Sequence, residues 1–527
     1  MTAAAGSIQA VLRHRALRAL LGGGTAYFVG NAMQAMAASW LVVELTGSSF
    51  LAALVQTAVF LPMFLFALPA GVLADTTDRR RLLLAALAAQ AVLVALLAVL
   101  LIAGWAGATT LLLLTFLIGC CTALLSPAWN SAVVEVVPRD ELPQAITAIG
   151  ISYNGARALG PALAGWVYAR TGAGWVFVIA LAGILVLLHA VRAFPPKPHP
   201  PSRLPAERLW GGMLSALRFA RHSDVVLAQL VRTAAYSACG SALWALLPVV
   251  GQRQLGLGAA GFGLLMGCMG SGAVIAGFMI GRLRLWLGLE RLVATGCIVF
   301  ALVMLIAAWS PIDGPVYAAL VAGGASWMSV MSTYNTATQT SAPLWVRARA
   351  NALHVLSALG AFALGSALWG ALSGLLGLSL ALTSAAVGML ATALLARRFP
   401  LRMSALDEVT PATLSQDLFL AYEPDPEAGP VAVEIGYRVR ADDTEGFMDA
   451  LSHMRAPRRR DGATFWRVYR DLGDSQRYVE RFIVTRWADY LHQRSRATLA
   501  DQEIEARVRS YLLPGEEPRM QHYIAER

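Results

Sequence analysis

The sequence predicts an all-α polytopic membrane protein of twelve transmembrane helices in two six-helix pseudo-repeats, followed by a C-terminal α+β cytoplasmic domain. Three observations predict it. Only 14% of the 527 residues are charged, against about 25% in a soluble globular chain. The charge is unevenly placed, with ten acidic side chains in residues 1–402 and twenty-two in 403–527. The first of these segments is built from repeated apolar runs of about 20 residues, the length one helix needs to cross a hydrocarbon core of ~30 Å.

The runs fall near 20–43, 50–73, 82–103, 109–131, 146–169 and 173–193, then near 225–250, 259–281, 288–309, 315–337, 350–373 and 378–397. Buried helices of a large soluble core would show polar faces on most of them. The first run has full span length and no small-residue cleavage site, so it reads as a first span that also directs insertion. All five cysteines (Cys120, Cys121, Cys239, Cys268 and Cys297) lie inside runs. That placement argues against a disulfide or metal framework, and no metal or cofactor is expected.

Lysine and arginine placement sets the orientation, because cytoplasmic loops retain them. With the N-terminus inside, twenty-one basic residues of the body fall in cytoplasmic segments, and only Arg170 and Arg253 fall outside. Both termini are then cytoplasmic, in a bacterial plasma (inner) membrane. The net charge of +10 is accounted for by topology and calls for no nucleic-acid partner; the expected partners are the lipid bilayer, a small-molecule substrate and protons.

The body also repeats itself. At a fixed offset of 205, without gaps, Asn130 pairs with Asn335, Pro138 with Pro343, Ala145 with Ala350, Gly155 with Gly360, Gly160 with Gly365 and Gly165 with Gly370. Internal repeats mark many carriers. The domain lines follow: 1–193 an N-terminal six-helix lobe, 194–224 a cytoplasmic linker, 225–402 a second lobe, 403–427 a linker and 428–527 the terminal domain. The prolines opening the first linker (Phe194-Pro-Pro-Lys-Pro-His-Pro-Pro) bar a continuous helix. A short amphipathic helix at roughly 207–222 is expected on the membrane surface.

Between the second and third runs stands Gly71-Val-Leu-Ala-Asp75-Thr-Thr-Asp78-Arg79-Arg80-Arg81. This resembles the loop motif of the major facilitator superfamily, with Thr76 and Asp78 departing from its commonest pattern. The resemblance implies that the loop latches the two lobes in one state of a transport cycle. In the fifth run, Gly160-Pro161-Ala-Leu-Ala-Gly165 is similar to the glycine-proline motif of exporter branches, with Ala164 in place of a glycine. Proline frees one backbone hydrogen bond and glycine permits close helix packing, which suits a hinge or a seal. The chain as a whole resembles the branch that contains the enterobactin exporter, the transmembrane secretion effectors. The resemblance implies ion-gradient-driven efflux of a small molecule.

Lys197 is the only lysine, and it lies among prolines, so no GxxxxGK[ST] phosphate loop exists and ATP is not the direct fuel. Charges inside a bilayer are costly and mark function by default. Arg157 lies near the middle of the fifth span and shares a helix face with Tyr153 and Asn154. Arg157 suits either a polar or anionic substrate or a structural partner, and Arg232 in the seventh span suits either the cavity or snorkelling to the cytoplasm. Asn31, Gln34, Tyr236, Asn335 and Gln339 complete the cavity candidates, with Tyr27, Trp244 and Trp327 as apolar lining or core. No acidic residue falls at the centre of a span, so Glu135, Asp75 or His354 is expected to carry a coupling proton.

In the tail, Val431, Val433, Ile435, Tyr437 and Val439 alternate with polar residues as one strand. A helix near 443–457, strands at 463–471 and 477–486, a helical stretch at 487–512 and a strand near 520–525 complete a βαββαβ ferredoxin-like plait. It resembles small dimeric αβ-barrel domains related to antibiotic-biosynthesis monooxygenases, which implies a docking, regulatory or homodimerising role, or an enzyme. His453 and His492 lack the spacing of a metal or acid–base pair, and no catalytic residue is assigned. The function expected is proton-antiport export of a siderophore, antibiotic or related metabolite. Proton-coupled uptake and a membrane-anchored enzyme are the alternatives.

Overall fold

The computed structural model describes residues 13–136, 141–193, 209–343, 345–412, 422 and 424–526. The body is helical, in the order α1 Arg15–Thr46, α2 Ser49–Thr76, α3 Arg79–Ile102, α4 Ala108–Val136, α5 Leu142–Thr171, α6 Ala173–Ala193, α7 Leu209–His222, α8 Asp224–Val249, α9 Ala259–Trp309, α10 Asp313–Thr340, α11 Arg347–Leu376 and α12 Leu378–Thr392. The turn between α1 and α2 is short and locally encoded. Gly47 takes a left-handed conformation (φ 61°) that ends α1, and the Ser48 hydroxyl then caps α2 by accepting from the Leu51 amide.

Among the described residues, nine helical segments are long and apolar enough to cross a membrane. One of them, α9, is broken at Gly288, whose φ of 70° is not helical. The loop expected at 282–287 is therefore helical, and the chain turns at a single glycine. Helices α5 and α10 are long but less apolar than those nine, because they carry Tyr153, Asn154 and Arg157 and Ser326, Ser329, Thr333 and Asn335 respectively.

The repeat of the sequence recurs in the helix bounds. Leu142–Thr171 and Arg347–Leu376 differ by 205 at both ends, and Ala108 and Asp313, which open α4 and α10, differ by the same amount. Gly172 (φ 83°) and Gly377 (φ 86°) make the equivalent one-residue turns. No β-carbon is tolerated cheaply at such angles, so glycine fixes both corners.

By internal contacts the chain divides into two compact units. The first comprises Met1–Arg203, Arg232–Thr333 and Leu356–Arg398, and the second Leu204–Val231, Tyr334–Val355 and Phe399–Arg527. The second unit holds α7, the first turns of α8, the end of α10, the start of α11 and the whole tail.

In the tail, α13 (Leu406–Val409) leads to β1 Val431–Arg438, α14 Thr444–Ser452, α15 Arg455–Asp461, β2 Phe465–Arg470, β3 Arg477–Val484, α16 Trp487–Ser495, α17 Leu499–Arg509 and β4 Arg519–Ile524. The four strands form one antiparallel sheet in the order β2-β3-β1-β4. The alternating residues of β1 are buried, together with Phe447, Leu451, Met454, Phe482, Trp487 and Tyr490. Two expected helices are each broken in two. Thr498 and Asp501 form a reciprocal capping box that starts α17, so the stretch at 487–512 bends there. The helix at 443–457 gives way to α14 and α15 around His453.

Candidate functional site

The first unit places an arginine between two aromatic rings, one on α5 and one on α8. Arg157 of α5 sits one helical turn beyond Tyr153, and its guanidinium carbon lies 5.9 Å from that ring's centroid. On its other side the same carbon lies 5.6 Å from the ring of Trp244, on α8 of the opposite half. Both distances are within cation–π range. The Arg157 side chain is exposed and has no ion-pair partner among the described residues. An exposed charge within an apolar body, held between rings on two helices, is a candidate cargo contact.

Rings continue on both sides. Phe28 of α1 stands edge-on to Tyr153 at 5.3 Å and to Trp129 at 6.0 Å. Trp327 of α10 joins Trp244, Tyr236 and Phe362 at 6.1, 5.2 and 5.9 Å. Phe362 meets Phe60 of α2 at 4.7 Å. Trp244 keeps its buried Nε1–H without a hydrogen-bond acceptor among the described residues. The wall therefore offers π faces, one positive charge and one donor, a set suited to a flat organic molecule with acceptor or anionic groups.

Beyond this cluster, the halves touch at the ends of the helices remote from the arginine-bearing loops. A β-carbon on Gly165 would lie 2.5 Å from the Ala259 carbonyl oxygen and 3.0 Å from Gly263. Across the pseudo-twofold, Gly370 of α11 fits as closely against Ala53 and Phe50 of α2. Trp40 stacks on Phe262 at 5.3 Å, the Thr57 hydroxyl donates to the Ala363 carbonyl, and Arg253 donates to the Gly47 carbonyl. Gly160 and Gly365 instead pack within their own halves, against Ala32 and Ala238. Pro161 is inside α5, and its carbonyl abuts Gly263.

The remaining candidates are scattered. Asn154 spends its amide on the Gly150 carbonyl at 2.8 Å. Gln34 is buried in α1, one turn beyond the half-buried Asn31. Tyr236 is fully buried. Arg232, 2% exposed, does not snorkel: its Nη1 donates to both carboxylate oxygens of Glu290 at 2.7 and 2.8 Å. Glu290 was missed from the sequence because it stands at a span end; its partner lies two helices away. In the second unit, Asn335 and Gln339 hydrogen-bond each other one turn apart, and the buried His354 has Nδ1 3.5 Å from the Thr338 hydroxyl. The side chains of Gly71, Asp75, Arg79 and Glu135 lie outside the described residues. Asp78 caps α3 by accepting from the Arg81 amide, and Arg80 donates to the Val191 and Arg192 carbonyls, so the described contacts of this loop stay within the first half.

The tail carries its own polar cluster. Glu480, fully buried, accepts from Tyr437, Arg458 and Trp466 at 2.8, 3.1 and 2.8 Å. Arg460 bridges Asp461 and Asp501 at 2.8 and 2.6 Å. Burial pushes the Asp461 carboxyl up to about 6, against the pull of Arg460. His453 bonds the Asp449 carbonyl. Among the described residues no group of three or more His, Cys, Asp or Glu is placed to hold a metal ion.

No curated protein matches the sequence. Solved structures match in fold. A bacterial homolog of the human lysosomal transporter Spinster, inward-facing and unoccupied, is 16% identical with a TM-score of 0.55, over 73% of this chain and 94% of that one. The nucleoside transporter NupG is 11% identical with a TM-score of 0.58, over 74% of this chain and 100% of that one. A POT family transporter in complex with 5-aminolevulinic acid is 14% identical with a TM-score of 0.58, over 73% and 96%. The sequence profile of the transmembrane secretion effectors matches residues 6–527. The chain thus belongs to the transmembrane secretion effector family and is a membrane transporter of the major facilitator type.

Proposed function

We propose that the protein exports a small, flat organic molecule bearing acceptor or anionic groups, by alternating access across the plasma membrane. The carrying observation is Arg157 held between Tyr153 and Trp244, one ring from each half. A cargo lodged there touches both halves at once, so binding is coupled to their relative movement. The glycine seal at the remote helix ends supports a resting state open toward the arginine-bearing side, the cytoplasmic side by charge placement. The family's description as secretion effectors supports the outward direction. On this reading the long helices make twelve crossings, with α9 counted as two because of Gly288.

Proton antiport is the coupling proposed. Of Asp75, Glu135 and His354, only His354 has a described side chain, and it is buried beside Thr338. We read the tail as a ferredoxin-like plait, on its strand order, serving transport rather than an enzymatic step. The test is a panel of small organic toxins against a strain lacking its own efflux pumps. The protein should lower sensitivity to at least one compound, and Arg157→Gln should abolish that protection. Heightened sensitivity from the intact protein would reverse the direction to uptake; no effect of Arg157→Gln would remove the site.

A further inference from the structure

The tail encloses a cavity of about 230 Å³ between its helices and the inner face of its sheet. Met454, Phe482, Ala506 and Met520 give it an apolar lining, with Tyr490 and Gln493 among the polar groups. The volume lies below the ~300–1,000 Å³ of drug-sized ligand sites, with room for one ring and a substituent. Gln493 is 5% exposed. Its amide nitrogen donates to the Arg458 carbonyl at 3.2 Å, whereas its Oε1 has no hydrogen-bond partner among the described residues. A buried acceptor left without a donor is costly, and an incoming O–H or N–H would relieve it.

Charge around the cavity is balanced. Among its lining residues, Arg458, Arg494 and Arg509 stand against Asp461, Asp501 and Glu505. A charged ligand would bring an uncompensated charge into this partly closed space, whereas an uncharged one would not.

The same wall is joined to the membrane-entering segments. Directly after Asp461, the Gly462 carbonyl accepts from Arg218 of α7 at 3.1 Å. Three residues after Gln493, Arg496 donates to the Asp461 carbonyl and lays its guanidinium 4.1 Å over Trp345, in the turn between α10 and α11. Trp345 in turn packs edge-on against Phe219 of α7. The linker completes the tie: Ser404 donates its amide to the Ser341 hydroxyl, and Thr410 and Ala412 pair with Leu499 and Ala497. Cavity wall, α7 and the α10–α11 turn are thus two or three contacts apart.

We propose that this cavity is a regulatory site for a small, uncharged, mostly apolar molecule carrying a hydroxyl or amide donor, and that its occupancy sets the order of the α10–α11 turn. The proposal rests on the protein being a transporter and not on its direction or cargo.

The test uses 4-fluorophenol, uncharged at neutral pH, with the full chain in lipid nanodiscs. Fluorine relaxation reports binding, and amide exchange across residues 341–346 reports coupling. Relative to the intact protein, Ala506→Trp should abolish binding by filling the space, and Gln493→Leu should weaken it about fivefold by removing one hydrogen bond. Exchange at 341–346 should slow with the probe in the intact protein, need about fivefold more probe in Gln493→Leu, and stay unchanged in Ala506→Trp. Should Ala506→Trp unfold the tail, Gln493→Leu decides. Equal relaxation with the intact protein and Gln493→Leu overturns the site, and binding without altered exchange overturns the coupling. Neither measurement needs transport, so failure here is distinct from failure of the export reading.

Discussion

The guanidinium of Arg157, on α5, lies 5.6 Å from the ring of Trp244, on α8 in the other member of the sequence repeat. An arginine over an aromatic face contributes about 0.5–2 kcal/mol, most when water is excluded. Because the pair joins the two members, its loss should act on transport more than on folding.

Arg157→Lys keeps the charge but not the planar stack, and should reduce export about 2- to 30-fold. Trp244→Phe keeps a weaker π face and should fall between that variant and the intact protein, whereas Trp244→Leu should match Arg157→Lys. Thermal stability in detergent should change little in all three. Large losses of stability would place the pair among structural contacts and remove it from the cargo path.

Gly165 and Gly370 occupy equivalent places in the two halves, each closing on the opposite half. With 2.5 Å between a β-carbon at Gly165 and the Ala259 carbonyl, Gly165→Val cannot keep the seal. Overpacking of this kind costs about 1–3 kcal/mol, enough to shift a two-state equilibrium by roughly 5- to 150-fold. An Ala53→Cys reporter on a cysteine-free background should then react faster with a membrane-impermeant maleimide added from the outside. Gly155→Ala is the control, since a β-carbon there meets nothing within 4 Å. Unchanged labelling in Gly165→Val would mean that these contacts do not hold the remote end shut.

What was legible in the sequence was whatever depends on local pattern. Apolar length and the offset of 205 gave helices whose bounds repeat by that number, and the alternation in Val431–Val439 marked a strand that is indeed buried on one face. Contacts distant in sequence were not legible. The Tyr153–Arg157 face followed from a spacing of four, but nothing in that spacing names Trp244. Arg232 was open to a cavity role or to snorkelling because its partner Glu290 is 58 positions away. The break before α17 was readable in principle, since Thr498-x-x-Asp501 is a capping signature, but the polar run around it masked the signal.

Arg232 is 2% exposed and Glu290 39% exposed. Removing one member of a buried pair costs about 3–5 kcal/mol, and water at Glu290 should lower this to roughly 2 kcal/mol. Glu290→Gln is therefore expected to lower the detergent melting temperature by several degrees, while the double change Arg232→Met with Glu290→Leu recovers most of it. If the double variant folds well but no longer transports, the pair belongs to the coupling path. If it folds and transports, the pair is structural only. A Glu290→Gln protein as stable as the original would contradict the ion pair itself.

Asp461 gives the tail a pH dependence whose sign can be stated. Its folded value of about 6 lies above the unfolded value, because burial outweighs the attraction of Arg460. The folded state therefore binds this proton more tightly than the unfolded chain. Its contribution is fully present below the unfolded value of about 4 and is lost as pH rises through about 6. Asp461→Asn keeps the shape and one acceptor for Arg460 but cannot titrate. Measured by amide exchange in β1 of the full chain, the stability difference between intact protein and variant should move in favour of the intact protein as pH falls from about 7 to about 5. Carboxylates away from the Arg460 cluster titrate in both proteins and cancel in that difference. A difference that stays flat over this range would show that Asp461 remains ionised throughout, with Arg460 outweighing its burial.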